Sequence, residues 1–123
     1  MTITRDVNAV TALTTVADEE TAKALALALV TERLAACVHI LPKGISVYWW
    51  EEKIEAIEEW TLIIKTEMEK VGQIDTFFSK HHAYAVPELL VLPVVAGHEA
   101  YLSWMHEILI LKNAPKSDSP DSV

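Results

Sequence analysis

The chain has a single cysteine, Cys37, in 123 residues, which excludes an internal disulfide framework. It has no Lys/Arg-rich stripe. With 10 basic against 18 acidic residues the formal net charge is -8, which speaks against a protein that grips the phosphate backbone of nucleic acid. No apolar run is long enough to span a bilayer. Neither a Gly-rich phosphate loop nor a G-x-S-x-G elbow is present. No secretory leader is evident at the N-terminus, and with the lone cysteine this leads to the expectation of a cytoplasmic protein.

Apolar residues make up 51% of the chain, enough for one domain with a sizeable core. That domain is expected over residues 1–112, with a Pro/Ser/Asp-rich tail at 113–123 that has nothing to bury and should be disordered. The dominant stretch runs from Cys37 to Thr66. Rich in β-branched and aromatic residues, it predicts two long strands, Cys37 to Trp50 and Ile54 to Thr66, joined by the charged turn Glu51-Glu52-Lys53. Pro42 in the first arm implies a bulged edge strand. At about 3.3 Å per residue each arm would reach roughly 45 Å, against a radius of gyration of about 14 Å for a compact domain of this size. Val47, Tyr48, Trp49, Trp50, Ile57 and Trp60 toward the tip form more apolar surface than soluble monomers expose. The far end of the ribbon is therefore expected to be buried against another copy of the chain.

Around the ribbon, Met1 to Asp6 reads as a loose arm and Val7 to Thr15 as a short first strand. Asp18 is a natural N-cap, with Glu19 and Glu20 in the first turn where the helix dipole favours them. Ala22, Leu25, Ala26, Leu29, Val30 and Leu34 then recur at helical spacing. Val71, Ile74, Phe77 and Phe78 suggest a second helix ending near His82, although Gly72 costs it up to about 1 kcal/mol. Pro87 to Val95 is a nearly continuous apolar run closed by Gly97, the mark of a central buried strand. A last helix from His98 or Glu99 to about Leu111 carries Tyr101, Leu102, Met105, Ile108 and Leu109 on one stripe. The order β-α-β-β-α-β plus a terminal helix predicts an α+β, ferredoxin-like (split βαβ) fold, an antiparallel sheet with helices on one face. Its other face stays bare unless something outside the subunit covers it.

Chemistry concentrates in Lys80-His81-His82-Ala83-Tyr84-Ala85-Val86-Pro87-Glu88, where two imidazoles, a phenol and a carboxylate meet at a helix-to-strand junction. Imidazole suits copper, zinc and nickel, which makes His81 and His82 candidate metal ligands. Neighbouring residues project about 100° apart on a helix and to opposite faces on a strand, so a third ligand must come from elsewhere, another subunit included. His81 also continues the Ile74, Phe77, Phe78 stripe and so reads as a half-buried histidine at a helix C-terminus. Tyr84 reads as a packed ring with a bonded hydroxyl, and Glu88 as a structural acceptor. Cys37, with no basic neighbour in sequence, reads as a buried inert thiol. His39 shares its strand face, yet two ligands do not make a structural zinc site. His98 and His106 default to surface histidines. Glu51, Glu52, Glu55, Glu58 and Glu59 read as a solvated ribbon tip that discourages edge-to-edge pairing.

Several of these segments together resemble the CutA divalent-cation-tolerance family: Ala17-Asp18-Glu19-Glu20-Thr21-Ala22, Glu32-Arg33-Leu34-Ala35-Ala36-Cys37-Val38, Tyr48-Trp49-Trp50-Glu51, Ile64-Lys65-Thr66, His81-His82-Ala83-Tyr84 with Pro87 to Pro93, and Tyr101-Leu102-Ser103-Trp104. The likeness spans roughly residues 8 to 110. It implies a ferredoxin-like subunit that forms a homotrimer in the cytoplasm, with copper (Cu2+) binding or cation tolerance as its role. The copper-associated histidine pair of a bacterial member falls on His81 and His82, while a cysteine that completes the set there falls on Thr14 here. Ala83 stands where the family commonly has proline, and Glu52 where a glycine is common, which implies a bend of another turn type.

Three functions follow as expectations. The first is a non-enzymatic homotrimer that binds a divalent metal, copper, through His81 and His82. The second is a trimeric signalling or scaffold protein like the PII regulators, whose subunit architecture it shares, holding a small metabolite or partner between subunits. The third, an enzyme using His82, Tyr84, Glu88 and Lys65 in an intersubunit cleft, lacks any catalytic signature and stands or falls on whether those four cluster.

Overall fold

The computed structural model describes residues 2–5 and 7–111; the tail expected at 113–123 lies outside them. Its strands are Ile3–Arg5 (β1), Ala9–Val16 (β2), Cys37–Trp50 (β3), Lys53–Glu67 (β4), Leu90–Pro93 (β5) and Ala96–His98 (β6), and its helices Glu19–Thr31 (α1), Val71–His81 (α2) and Glu99–Ile110 (α3). The main sheet is antiparallel, in the order β3-β4-β2-β5, which is the ferredoxin-like split βαβ arrangement.

Local chemistry sets the ends of α1. Asp18 accepts the amide of Thr21 on its Oδ1 at 2.8 Å, satisfying one of the first-turn donors. At the other end Arg33 takes a left-handed φ of 57°, and the amides of Leu34 and Arg33 bond back to the carbonyls of Leu29 and Val30 at 2.9 and 3.0 Å. That is a Schellman closure without its usual glycine, at roughly 1–2 kcal/mol of backbone strain. The same side chain offsets some of it by donating to the carbonyl of Ile108 at 3.1 Å, which ties α1 to α3. The core lies between the sheet and α1 with α2, where Ala12, Val16, Leu62 and Ile64 meet Leu25, Leu29, Ile74 and Phe78. A smaller cluster of Ala9, Ala36, Met105 and Leu109 seats α3. Ala9 alternates with Val10 and Ala12, so α3 covers one end of the opposite face.

The ribbon is built as its sequence implies. Pairing runs without a break from Trp50 with Lys53 to Gly44 with Glu59, shifts between Leu41 and Gly44, and resumes to Cys37 with Lys65. The bulge falls at Pro42, which has no amide hydrogen to give the ladder. At the tip the expectation of another turn type fails. Glu51 and Glu52 take φ of 49° and 66°, the two left-handed residues a type I′ turn requires. The right-handed twist of two long arms selects that turn, and the ladder behind it outweighs the strain of two non-glycine residues.

Two other expectations are corrected. The arm read as loose contains β1, which pairs with β6, and the amide of Glu99 donates to the carbonyl of Thr2 at 3.0 Å. Gly97 belongs to that pair, and a Cβ there would meet the side chain of Leu102 at 3.1 Å. The run from Pro87 to Val95 gives an edge strand, not a central one: β5 reaches only Val10 to Leu13 of β2, and Leu90 remains 58% exposed.

Even-numbered residues of β4 share the helix-covered face with Leu62 and Ile64. Beyond the ends of the helices that face continues as Ile54 and, on β3, Trp49, Val47 and Ile45, exposed by 64, 71, 67 and 74%. This apolar strip has no cover within one chain.

His106 fastens α3 to β4: its Nδ1 lies 2.9 and 3.1 Å from the two carboxylate oxygens of Glu67. The hydrogen bond to Glu67, and then its charge, raise the imidazole pKa above its ordinary value. A raised folded pKa gives stabilisation that is complete below the unfolded value near 6.5 and is lost as pH rises through the folded value. Urea unfolding of His106→Gln beside the parent should therefore show a deficit at pH 6 that shrinks by pH 9. A deficit that stays constant across that window would contradict this.

Candidate functional site

Because β5 stops pairing at Leu13, Thr14 to Val16 lack a strand on that side, and the loop after α2 runs past them. His82 caps α2 in an extended conformation, its amide still bonded to the carbonyl of Phe78 at 3.0 Å. Its ring is held at both nitrogens. The amide of Tyr84 donates to Nδ1 at 3.1 Å, and Nε2 lies 3.0 Å from the hydroxyl of Thr14. Since Nδ1 accepts, the ring proton sits on Nε2 and Thr14 receives it. Burial lowers the pKa of this imidazole, against weaker opposing contributions from the Thr15 backbone and the charge of Glu59, so the ring is neutral at physiological pH.

His81 differs. It is exposed, not half-buried as its stripe implied, and lies over Phe77 with ring centroids 4.3 Å apart, whereas His82 meets Phe78 edge-on at 5.2 Å. The two histidines nevertheless border one depression of about 220 Å³, together with Thr21 and Phe77. Among the described residues no group of three or more His, Cys, Asp or Glu side chains is arranged to hold a metal.

A second feature adjoins the first. Tyr84 donates its hydroxyl to Glu59 Oε2 at 2.7 Å, and burial, then that bond, raise the phenol pKa well above its ordinary value. Both residues line a cleft of about 550 Å³ with Tyr48, Trp50 and Glu88. Burial, and then the charge of Glu59, raise the Glu88 carboxyl. Glu59, read from sequence as a tip acid, is only 7% exposed. The available signal was alternation: Glu59 is out of phase with Leu62 and Ile64, so it cannot share their face.

Of the four residues named for an enzyme, Tyr84 touches His82 and shares the cleft with Glu88, but His82 does not line that cleft, and Lys65 sits opposite Thr11 and Cys37 in the sheet, also outside it. Cys37 is partly exposed where a buried thiol was expected. His39 and His98 are exposed, and His106 is taken by Glu67.

Comparison with known proteins adds to this geometry. A family model described as CutA1 divalent ion tolerance protein matches residues 10–108. The divalent-cation tolerance protein CutA of Yersinia pestis (strain Pestoides F) is 43% identical over 103 residues, 84% of this chain and 87% of that one. The solved structure of CutA from Synechococcus elongatus PCC7942 superposes with a TM-score of 0.84 at 34% identity, covering 88% of this chain and 96% of that one. A structure described as the periplasmic divalent cation tolerance protein CutA from Archaeoglobus fulgidus gives a TM-score of 0.79 at 33% identity, over 82% and 98% of the two chains.

Proposed function

The chain belongs to the CutA1 divalent ion tolerance family, and from that premise we propose that it is a non-enzymatic, cytoplasmic homotrimer that binds a divalent transition metal, copper foremost, through His81 and His82. The observation that carries the reading is that both imidazoles border one depression. Copper is favoured because Cu(II) heads the affinity order at nitrogen sites. The uncovered apolar strip supports assembly, and the single cysteine suits a reducing compartment. No helix among the described residues is long and apolar enough to cross a membrane.

The His81 imidazole has no side-chain hydrogen bond among the described residues and is the ligand in waiting. His82 must rearrange. A metal on Nδ1 displaces the amide of Tyr84, and a metal on Nε2 moves the ring proton to Nδ1, which then no longer accepts that amide. Either way the Tyr84 loop loses a hydrogen bond worth about 1 kcal/mol. Calorimetric titration of the assembled protein with Cu(II) tests the reading. His81→Ala with His82→Ala should weaken binding by about tenfold or more, and an unchanged affinity would retire this site.

The second reading, a trimer of the PII kind that binds a small metabolite or a partner, is favoured by the cleft between the ribbon and the Tyr84 loop. Thermal-shift titration with candidate metabolites checks it, since a ligand of the folded state raises Tm by linkage.

A further inference from the structure

The cleft beside the ribbon has a lining of unusual chemistry. It presents two carboxyls, Glu59 and Glu88, and three aromatic rings, Tyr48, Trp50 and Tyr84, and no lysine or arginine among the described residues contributes to it. Glu59 is more than nine-tenths buried. One of its oxygens accepts from Tyr84, and the other meets no donor among the described residues. Among the described residues that second oxygen is not sealed off without a partner, so a carboxylate otherwise taken out of water keeps one acceptor open to the cleft, where a charged or hydrogen-bonding group would compensate it best.

The lining decides which class of group suits that open oxygen. Anionic ligands such as phosphates and carboxylates would face Glu59 and Glu88 without a compensating cation. A hard metal ion wants six or more oxygen ligands, and no group of metal-ligating side chains of even three members is found among the described residues. An organic cation suits both parts of the wall. Its N–H groups would satisfy the free oxygen of Glu59 in a charge-assisted bond, while aromatic faces attract the positive charge. The volume, about 550 Å³, lies in the range of pockets that enclose a small organic molecule.

We propose that this cleft binds a small organic molecule through a protonated amine, with the ammonium between Glu59 and Glu88 and the carbon body against Trp50 and Tyr48. The inference deepens the second reading above by naming the ligand class, and it is independent of the metal ligands.

The test is calorimetric titration of the full-length assembled protein, at fixed ionic strength and neutral pH, with n-butylammonium chloride, n-butanol and sodium butyrate. The ammonium should bind at least about tenfold more tightly than the neutral and anionic isosteres, as a charge-assisted hydrogen bond requires. Glu59→Gln and Glu88→Gln should each remove most of that preference. Glu88 lies on the loop and is only part-buried, so Glu88→Gln serves as the control should Glu59→Gln disturb folding, with unchanged circular dichroism confirming the fold. Equal binding of butanol or butyrate would overturn the ammonium assignment while leaving the cleft a ligand site. Absence of binding by all three would overturn the assignment and count against the second reading as well.

Discussion

Trp49→Lys combined with Ile54→Glu is expected to break the assembly into single chains and to lower Tm by well over ten degrees. The pair is chosen from the register. Trp49 and Ile54 stand directly opposite each other on the ribbon, so the new lysine and glutamate form an opposite-charge cross-strand pair, which favours the hairpin by some 0.2–1 kcal/mol. The single chain gives no reason for harm, because both side chains are mostly exposed in it and surface substitutions usually stay within about 0.5 kcal/mol. In an assembly that covers the strip, each copy loses about 1.5–3 kcal/mol per buried apolar side chain and must also desolvate two charges. The two pictures differ by roughly an order of magnitude, so calorimetric melting and light scattering of the variant separate them. A parent-like Tm and mass would place the strip in solvent.

Thr14→Cys is expected to raise affinity for Cu(I) by about a hundredfold, since thiolate is the soft ligand that selects that ion. The position is set by geometry: the Thr14 hydroxyl lies 3.0 Å from His82 Nε2, so a thiol there would stand beside the imidazole. Thr14 is fully buried, and cysteine is small and well suited to burial, so the fold should tolerate the change. Two costs limit the gain. The thiol must ionise in a buried setting, which makes the affinity rise with pH, and the Tyr84 amide must give up His82. Competition with a Cu(I) chelator measures the effect, and parent-like affinity would mean that His82 and position 14 do not share a bound metal.

How much of this was legible depended on whether a feature is local. The Asp18 cap, both long arms and the bulge at Pro42 follow from residue type and nearest neighbours, and all stand in the structure. β1 left no trace because a strand over Ile3–Arg5 is too short for alternation to show, and it is defined by its pairing with β6. The apolar run before Gly97 read as central because a strand buried on both faces and an edge strand awaiting cover have the same composition. At the candidate site, the neighbourhood of His82 and Tyr84 came from adjacency in the chain. Thr14 and Glu59, 68 and 25 residues away from their partners, reach them only through the sheet. Glu59 was submerged in a run of acids whose composition suggested solvent, although its phase along β4 pointed elsewhere.

The central claim is that the apolar strip of Ile45, Val47, Trp49 and Ile54 is an interior surface completed by other copies of the chain. Sedimentation equilibrium of the unmodified protein at micromolar concentration tests it most directly. The account predicts a single species of three chains' mass that persists on dilution. Folded single chains, with native circular dichroism and that strip in water, would contradict it.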